Sequence, residues 1–306
     1  MMMPSATGPR SRFVDLGHSR RHVVEWGEPG APVLLLQHGM RDHARSWDWV
    51  AARFAADHHV IAPDLRGHGD SDWSRDEAYN LFDYVIDLAD IVDALDLPAF
   101  DLLGHSLGGH ITLRYAATFP EKVRTLANIE GIELPVIRDQ QKKPTPHPLR
   151  LRQWIEDQRD RRTRGPRYYA TLGEAQARMA EQNPGIDGDT IAHLTFHGTI
   201  AQAGMGIRWK YDNACRFRAP DDAHGVCLDE ILDAIACPTW LAYGDASWIP
   251  LPPADRIARL KRHRLVIFPG ASHWLHHQAR EPFLTELANF LADPEFQHRE
   301  SEKNHA

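Results

Sequence analysis

Apolar residues along this chain follow two alternating rhythms. VLLLQHG (33–39), HVIAPDLRG (59–67), FDLLGHS (100–106) and VRTLANIEG (123–131) each hold a short, nearly continuous apolar run bounded by glycine or polar residues. Runs of this length fit strands buried on both faces of a parallel sheet. Between them, apolar residues recur every three or four positions. Trp47, Val50, Ala51 and Phe54 do so in SWDWVAARFAA, as does the acid-studded stretch from Asn80 to Leu97, and LGGHITLRYAATF continues the pattern after Ser106. That spacing predicts amphipathic helices. Upstream, RFVDLG and RHVVEWG read as a hairpin turning at Gly17–Arg20. Strands alternating with helices predict right-handed crossovers and a mostly parallel sheet, the α/β class.

The rhythm breaks after Gly131. Residues 132–230 are rich in Pro, Arg and Gln, with helical patterns and no convincing strand. PTWLAYGD (238–245) resumes the alternation, followed by a helix over 253–262, the strand RLVIFPG (264–270) and a closing helix, PFLTELANFLA (282–292). The expected organisation is a core of 13–131 and 231–292, interrupted by a helical insertion at 132–230, with flexible termini at 1–12 and 293–306. An insertion of about a hundred residues is more than a loop needs.

Composition narrows the function classes. The 306 residues carry a net charge of −7, which gives no electrostatic case for nucleic-acid binding. No apolar run approaches the ~18 residues that span a bilayer, and the start, MMMPSATGPRSR, lacks the apolar segment of a secretory signal. Cys215, Cys227 and Cys237 are odd in number and show no zinc-like pairing. Reduced thiols in a cytoplasmic protein are the expectation, with no membrane partner.

The clearest chemical motif is GHSLG (104–108), a G-x-S-x-G pattern where a strand hands over to a helix. A sharp strand–turn–helix forces its central residue into a strained backbone, so small neighbours are needed at Gly104 and Gly108. The turn would hold the Ser106 hydroxyl above the sheet's carboxyl end, with a helix N-terminus favouring developing negative charge.

These residues carry a family resemblance. HG (38–39) after the third strand, DLRGHGDS (64–71), GHSLGG (104–109) and GASHW (270–274) occur in the order and spacing that resemble the α/β-hydrolase superfamily over nearly all of 13–292. The resemblance implies an eight-stranded, mostly parallel sheet with a helical cap inserted after strand six, where the composition break falls. It also implies a catalytic histidine at His273, in the loop after the last strand. It implies backbone N–H donors from Met40 and Leu107 for the oxyanion. His38 and the DLRGHG loop, with Asp64 and Arg66, are expected to order neighbouring structure rather than react. His276 and His277 lie close to His273, but no acid or cysteine ligand set accompanies them, so no metal is expected.

The carboxylate of a Ser–His–acid set is less evident. Such a family member usually carries an acid about three residues after Gly244, and here that place is Ser247. Asp245 ends strand seven two residues early. Glu130 ends strand six in NIEGIELP, and some members of the superfamily place their acid there. Strands six and seven are neighbours in that fold, so a glutamate can reach the same imidazole. Glu130 is the favoured acid and Asp245 the alternative.

A serine nucleophile points to acyl transfer to water with no metal or organic cofactor. The leading expectation is a carboxylic ester hydrolase acting on a small or medium small-molecule substrate. A lactonase, a thioesterase or a carbon–carbon bond hydrolase would use the same residues, and a non-catalytic ligand receptor is the reading from a different class. Trp274, Trp248, Met40 and His105 are the expected pocket walls, Trp274 nearest the substrate, with His105 packed beside the elbow. GIRWKYDN (206–213) is a further apolar candidate wall. RLRQWIEDQRDRRTRGPR (150–167) carries seven arginines against three acids. A basic face drawing in an anionic substrate and a solvated helix face both fit it. Monomer and homodimer are equally compatible with the sequence.

Overall fold

The computed structural model describes residues 8–133, 145–216 and 227–295. Eight strands form one sheet: β1 (Arg10–Asp15), β2 (Arg20–Trp26), β3 (Val33–Gln37), β4 (His59–Pro63), β5 (Phe100–His105), β6 (Val123–Ile129), β9 (Thr239–Gly244) and β10 (His263–Phe268). Their order is β1-β2-β4-β3-β5-β6-β9-β10. β2 runs antiparallel to β1 and β4, and every other pairing is parallel. The α/β expectation therefore holds, with β9 and β10 as the seventh and eighth strands of the sheet.

Period-two alternation sorts each strand's side chains between two cores. Leu34, Leu36, Leu103 and Trp240 face one layer, packed with Trp47, Phe54, Phe283 and Leu287. Those partners come from helix α1 (Asp48–Phe54), the turn before it and the closing helix Arg280–Ala292. Val33, Leu35, Leu102 and Leu241 face the other layer, against Tyr84 and Leu88 of α2 (Leu81–Ala94) and Ile111 and Tyr115 of α3 (Leu107–Thr118). Each such side chain, removed from water, contributes about 1.5–3 kcal/mol. Asn80 starts α2 with a capping box closed by Asp83, which explains why the helix begins there.

Between β6 and β9 lie the helices His147–Arg164, Leu172–Gln182, Gly188–Gly198 and Leu228–Ala234. Two differences from the sequence reading occur here and just beyond. The residues between β6 and β9 contain a hairpin, β7 (Thr199–Gln202) and β8 (Gly206–Trp209), turning through Gly204 at φ 75°. Four-residue strands that lie mostly outside the core carry no alternation to read. The helix expected over 253–262 is only Ala254–Ile257. Beyond it the chain folds back so that the Arg262 carbonyl can accept from the Thr239 N–H.

The termini need a smaller correction. Arg10, Ser11 and Arg12, read as part of a flexible leader, pair with Glu25, Val24 and Val23. Residues 1–7, 134–144, 217–226 and 296–306, which include most of both expected flexible termini, lie outside the described residues. Among the described residues no helix is long and apolar enough to cross a membrane, and all three cysteines are free.

Candidate active site

Ser106 sits between β5 and α3 with φ 54° and ψ −116°, a left-handed conformation that a non-glycine residue adopts only under constraint. The turn is tight enough to exclude side chains on both flanks. A Cβ on Gly108 would lie 2.2 Å from the Gln37 carbonyl oxygen, and one on Gly104 would lie 2.5 Å from that of Gly108. Leu107 opens α3, so its N–H belongs to the set that a helix start leaves without an intrahelical partner.

Strand register aligns the next group. His105 pairs with Ile129, and the Ser106 N–H donates to the Ile129 carbonyl at 2.8 Å. Ser106 and Glu130 therefore stand side by side at the carboxyl ends of β5 and β6. Glu130 is itself left-handed, at φ 50°. Its Oε2 lies 2.6 Å from His273 Nδ1. The same oxygen accepts from Ser247 Oγ at 2.7 Å, and Oε1 accepts from the Gly244 N–H at 2.9 Å. With Nδ1–H donated to the carboxylate, Nε2 of His273 is left as the basic nitrogen. Asp245 is engaged elsewhere: exposed just past the end of β9, it accepts the Gly270 N–H at 2.6 Å.

Burial dominates the electrostatics. It pushes the Glu130 carboxyl up to about 7, against hydrogen bonds from Ser247 and the Gly244 N–H that favour the charged form. It draws the His273 imidazole down to about 4, which keeps the ring uncharged at neutral pH and able to take a proton.

Several supporting contacts were not legible in the sequence. His38 bridges the loop it stands in, with Nδ1 2.7 Å from the Gly39 carbonyl and Nε2 accepting the Leu65 N–H at 3.0 Å. Asp64 accepts from His22 Nδ1 at 2.7 Å and from the N–H groups of Ala44 and Asp70 at 2.6 and 2.9 Å. Arg66 donates twice to Asp87, at 2.6 and 2.7 Å. His105 packs beside the elbow and also reaches across the sheet, its Nε2 2.9 Å from the His273 carbonyl oxygen. Ser247, expected only as a vacated acid position, is hydrogen-bonded to Glu130.

The expected pocket walls divide. Trp248 is 66% exposed with its ring 4.9 Å from that of His273. The Trp274 ring is farther from His273, at 6.1 Å, and stacks over His277 at 5.8 Å. Met40 is partly buried against the core. His276 and His277 are buried near His105, and burial holds both imidazoles well below their usual range. Metal-type donors meet elsewhere: among the described residues, Asp48, His193 and His197 form one cluster and His22, Asp64 and Asp70 another. Asp48 is already held by Arg45, outside its cluster, and Asp64 by His22, within its own.

Comparison with known proteins gives the same architecture. The chain is 38% identical over 108 residues to epoxide hydrolase 4 of Mus musculus, a match covering 35% of this chain and 30% of that one. It thus spans less than a third of the first curated relatives it matches. A longer match, 26% identical over 285 residues, covers 92% of this chain and 95% of the 2-(acetamidomethylene)succinate hydrolase of Mesorhizobium japonicum. The thioesterase domain from the curacin biosynthetic pathway superposes with a TM-score of 0.75 at 23% identity, over 92% of this chain and all of that one. The profile for the alpha/beta hydrolase fold matches residues 32–279. A match of that extent, on a sheet with this strand order, assigns the chain to the alpha/beta hydrolase fold family.

Proposed function

We propose that this protein is a serine hydrolase that cleaves a carboxylic ester through an acyl-enzyme. The Ser106 hydroxyl adds to the ester carbonyl carbon as its proton passes to His273 Nε2. The carbonyl electron pair moves onto oxygen, to which the N–H groups of Met40 and Leu107 donate hydrogen bonds. Collapse of this intermediate breaks the bond to the alcohol, which leaves with the proton from His273. Water then repeats the sequence and releases the acid. Glu130 holds the tautomer of His273 and stabilises its transient charge. The observation that carries this reading is the 2.6 Å contact between His273 Nδ1 and Glu130, beside a serine held in a left-handed turn.

Timed labelling by a fluorophosphonate tests it without knowledge of the substrate. Wild type is expected to label once, and Ser106→Ala not at all. Glu130→Gln should slow labelling by about a hundredfold or more, since the imidazole loses its charged partner. Asp245→Asn should stay within about twofold, as expected of a surface substitution. A slow Asp245→Asn with a normal Glu130→Gln would reassign the acid, and a wild type that never labels would remove the serine mechanism.

Full-length similarity to 2-(acetamidomethylene)succinate hydrolase supports a second reading, hydrolysis of a bond other than a simple ester by the same groups. A lactone, a thioester and a carbon–carbon bond beside a ketone all suit this chemistry, and product analysis on matched substrates separates them. The protein is expected to act on a small molecule in the cytoplasm, and the insertion at 132–230 to form the cap over the site.

A further inference from the structure

A cavity of about 140 Å³ is walled by four arginines, Arg41, Arg167, Arg178 and Arg216, together with Trp209 and Tyr211. No carboxylate is among the described residues that line it. Pro166, Arg167, Asn213 and Arg216 also line an adjoining cleft of about 400 Å³, whose other walls include Asp157, Asp160 and Arg161. The four arginines come from separate places: the loop after β3, the segment after helix His147–Arg164, the helix Leu172–Gln182, and the turn Asn213–Arg216. They are therefore not one solvated helix face. Within the arginine-rich segment, by contrast, Arg161 and Arg162 both pair with Glu77.

The charges in the cavity are poorly balanced. Arg178 has Glu181 as a partner, whereas Arg41, Arg167 and Arg216 have no carboxylate partner among the described residues. Arg41, Arg167 and Arg216 are exposed and Arg178 is half-buried, so solvent screens much of their mutual repulsion, and an anion seated among them would relieve the rest. Arg41 and Arg216 both act on the half-buried Tyr211 phenol, offsetting part of the rise that burial imposes on it. The Arg167 guanidinium lies 5.1 Å over the Tyr169 ring, a stack that leaves its N–H edge available.

The cavity is also tied to the candidate nucleophile. Arg41 directly follows Met40 and holds a left-handed backbone at φ 62°, unusual for a long side chain. Two residues earlier, a Cβ on Gly39 would lie 3.2 Å from Ser106 Cβ. A short loop thus leads from the serine to the arginines.

We propose that this cavity is the anion subsite of the active site, so that the substrate is an ester carrying an oxyanion group, a carboxylate or a phosphate, away from the scissile bond. This rests on the serine-hydrolase reading above and adds the charge class of the substrate. Planar guanidiniums bind either oxyanion through paired N–H bonds.

The test compares kcat/KM for a neutral ester, 4-nitrophenyl butyrate, with that for its anionic counterpart, the 4-nitrophenyl monoester of succinate. The anionic-to-neutral ratio is expected to fall about tenfold or more in Arg167→Gln/Arg216→Gln, from lost charge-assisted bonds. In wild type, added salt should lower the ratio. A ratio that the folded double variant leaves unchanged overturns the proposal. If that variant does not fold, the wild-type salt dependence decides, and a salt-independent ratio overturns it. Inhibition by glutarate against inorganic phosphate tells which oxyanion is preferred. Should neither ester turn over and Ser106 resist labelling, the serine reading fails, and calorimetric titration of glutarate and phosphate then reads the cavity alone. Saturable binding lost in Arg167→Gln/Arg216→Gln supports the subsite, and no binding to wild type removes it.

Discussion

One carboxylate oxygen of Glu130 accepts from both His273 and Ser247, so the two side chains compete and cooperate at a single buried atom. The proposed role needs Glu130 charged, and burial raises its carboxyl to about 7, so that charge is lost as pH falls through that value. The acid limb of kcat/KM is expected there. The Ser247 hydroxyl favours the charged form, so Ser247→Ala should raise the carboxyl further and move the limb to higher pH. A pH profile of the variant checks this, and an unmoved limb would leave Ser247 as packing alone. Stability carries the matching sign. A folded-state value raised above the unfolded one contributes stability at low pH that is lost as pH rises through about 7. The Tm gained by Glu130→Gln over wild type should therefore be larger at about pH 8 than at about pH 5. From the sequence, Ser247 was legible only as a missing acid. Its hydrogen bond spans 117 positions, and no local pattern encodes a contact that distant.

Buried charge also fastens one element to another. Asp87 of α2 accepts two bonds from Arg21 of β2, both at 3.0 Å, and two from Arg66 in the loop after β4. Removing the acid would strand two guanidiniums with little access to water. Asp87→Ala is expected to cost about 3–5 kcal/mol in urea unfolding. Asp72→Ala, which removes an exposed pair with Arg20, should cost no more than about 1 kcal/mol. Similar losses from both would show that the buried cluster is no more than surface pairing. At this scale the sheet strands were legible because period two and continuous apolar runs follow directly from burial. The hairpin β7–β8 was not, since its short strands lie mostly outside the core.

Across the whole molecule, the residues between β6 and β9 hold the loops after β3 and β4 and before α2 through polar contacts. Tyr79 Oη donates to Asp212 Oδ2 at 2.7 Å, the Asp212 N–H donates to the Gly67 carbonyl at 2.7 Å, and Lys210 Nζ pairs with Asp70 at 2.7 Å. His43 Nε2 meets the Leu194 carbonyl at 2.9 Å. Tyr79→Phe leaves a buried carboxylate oxygen short of a donor and should cost about 1–3 kcal/mol. With the two regions joined this way, heating should still give one transition by both circular dichroism and tryptophan fluorescence. Two separated transitions would show that they unfold independently. The sequence by itself determined the alternation of strands and helices, the break after Gly131 and the sharp turn at Ser106. These follow from periodicity and short-range sterics, which act between neighbours in the chain. Only the tertiary structure decided which acid meets His273, which arginines share a wall, and how the residues between β6 and β9 meet the loops around the sheet. Those outcomes depend on strand register and on packing between distant segments, where several residues of one type compete and only the folded geometry selects among them.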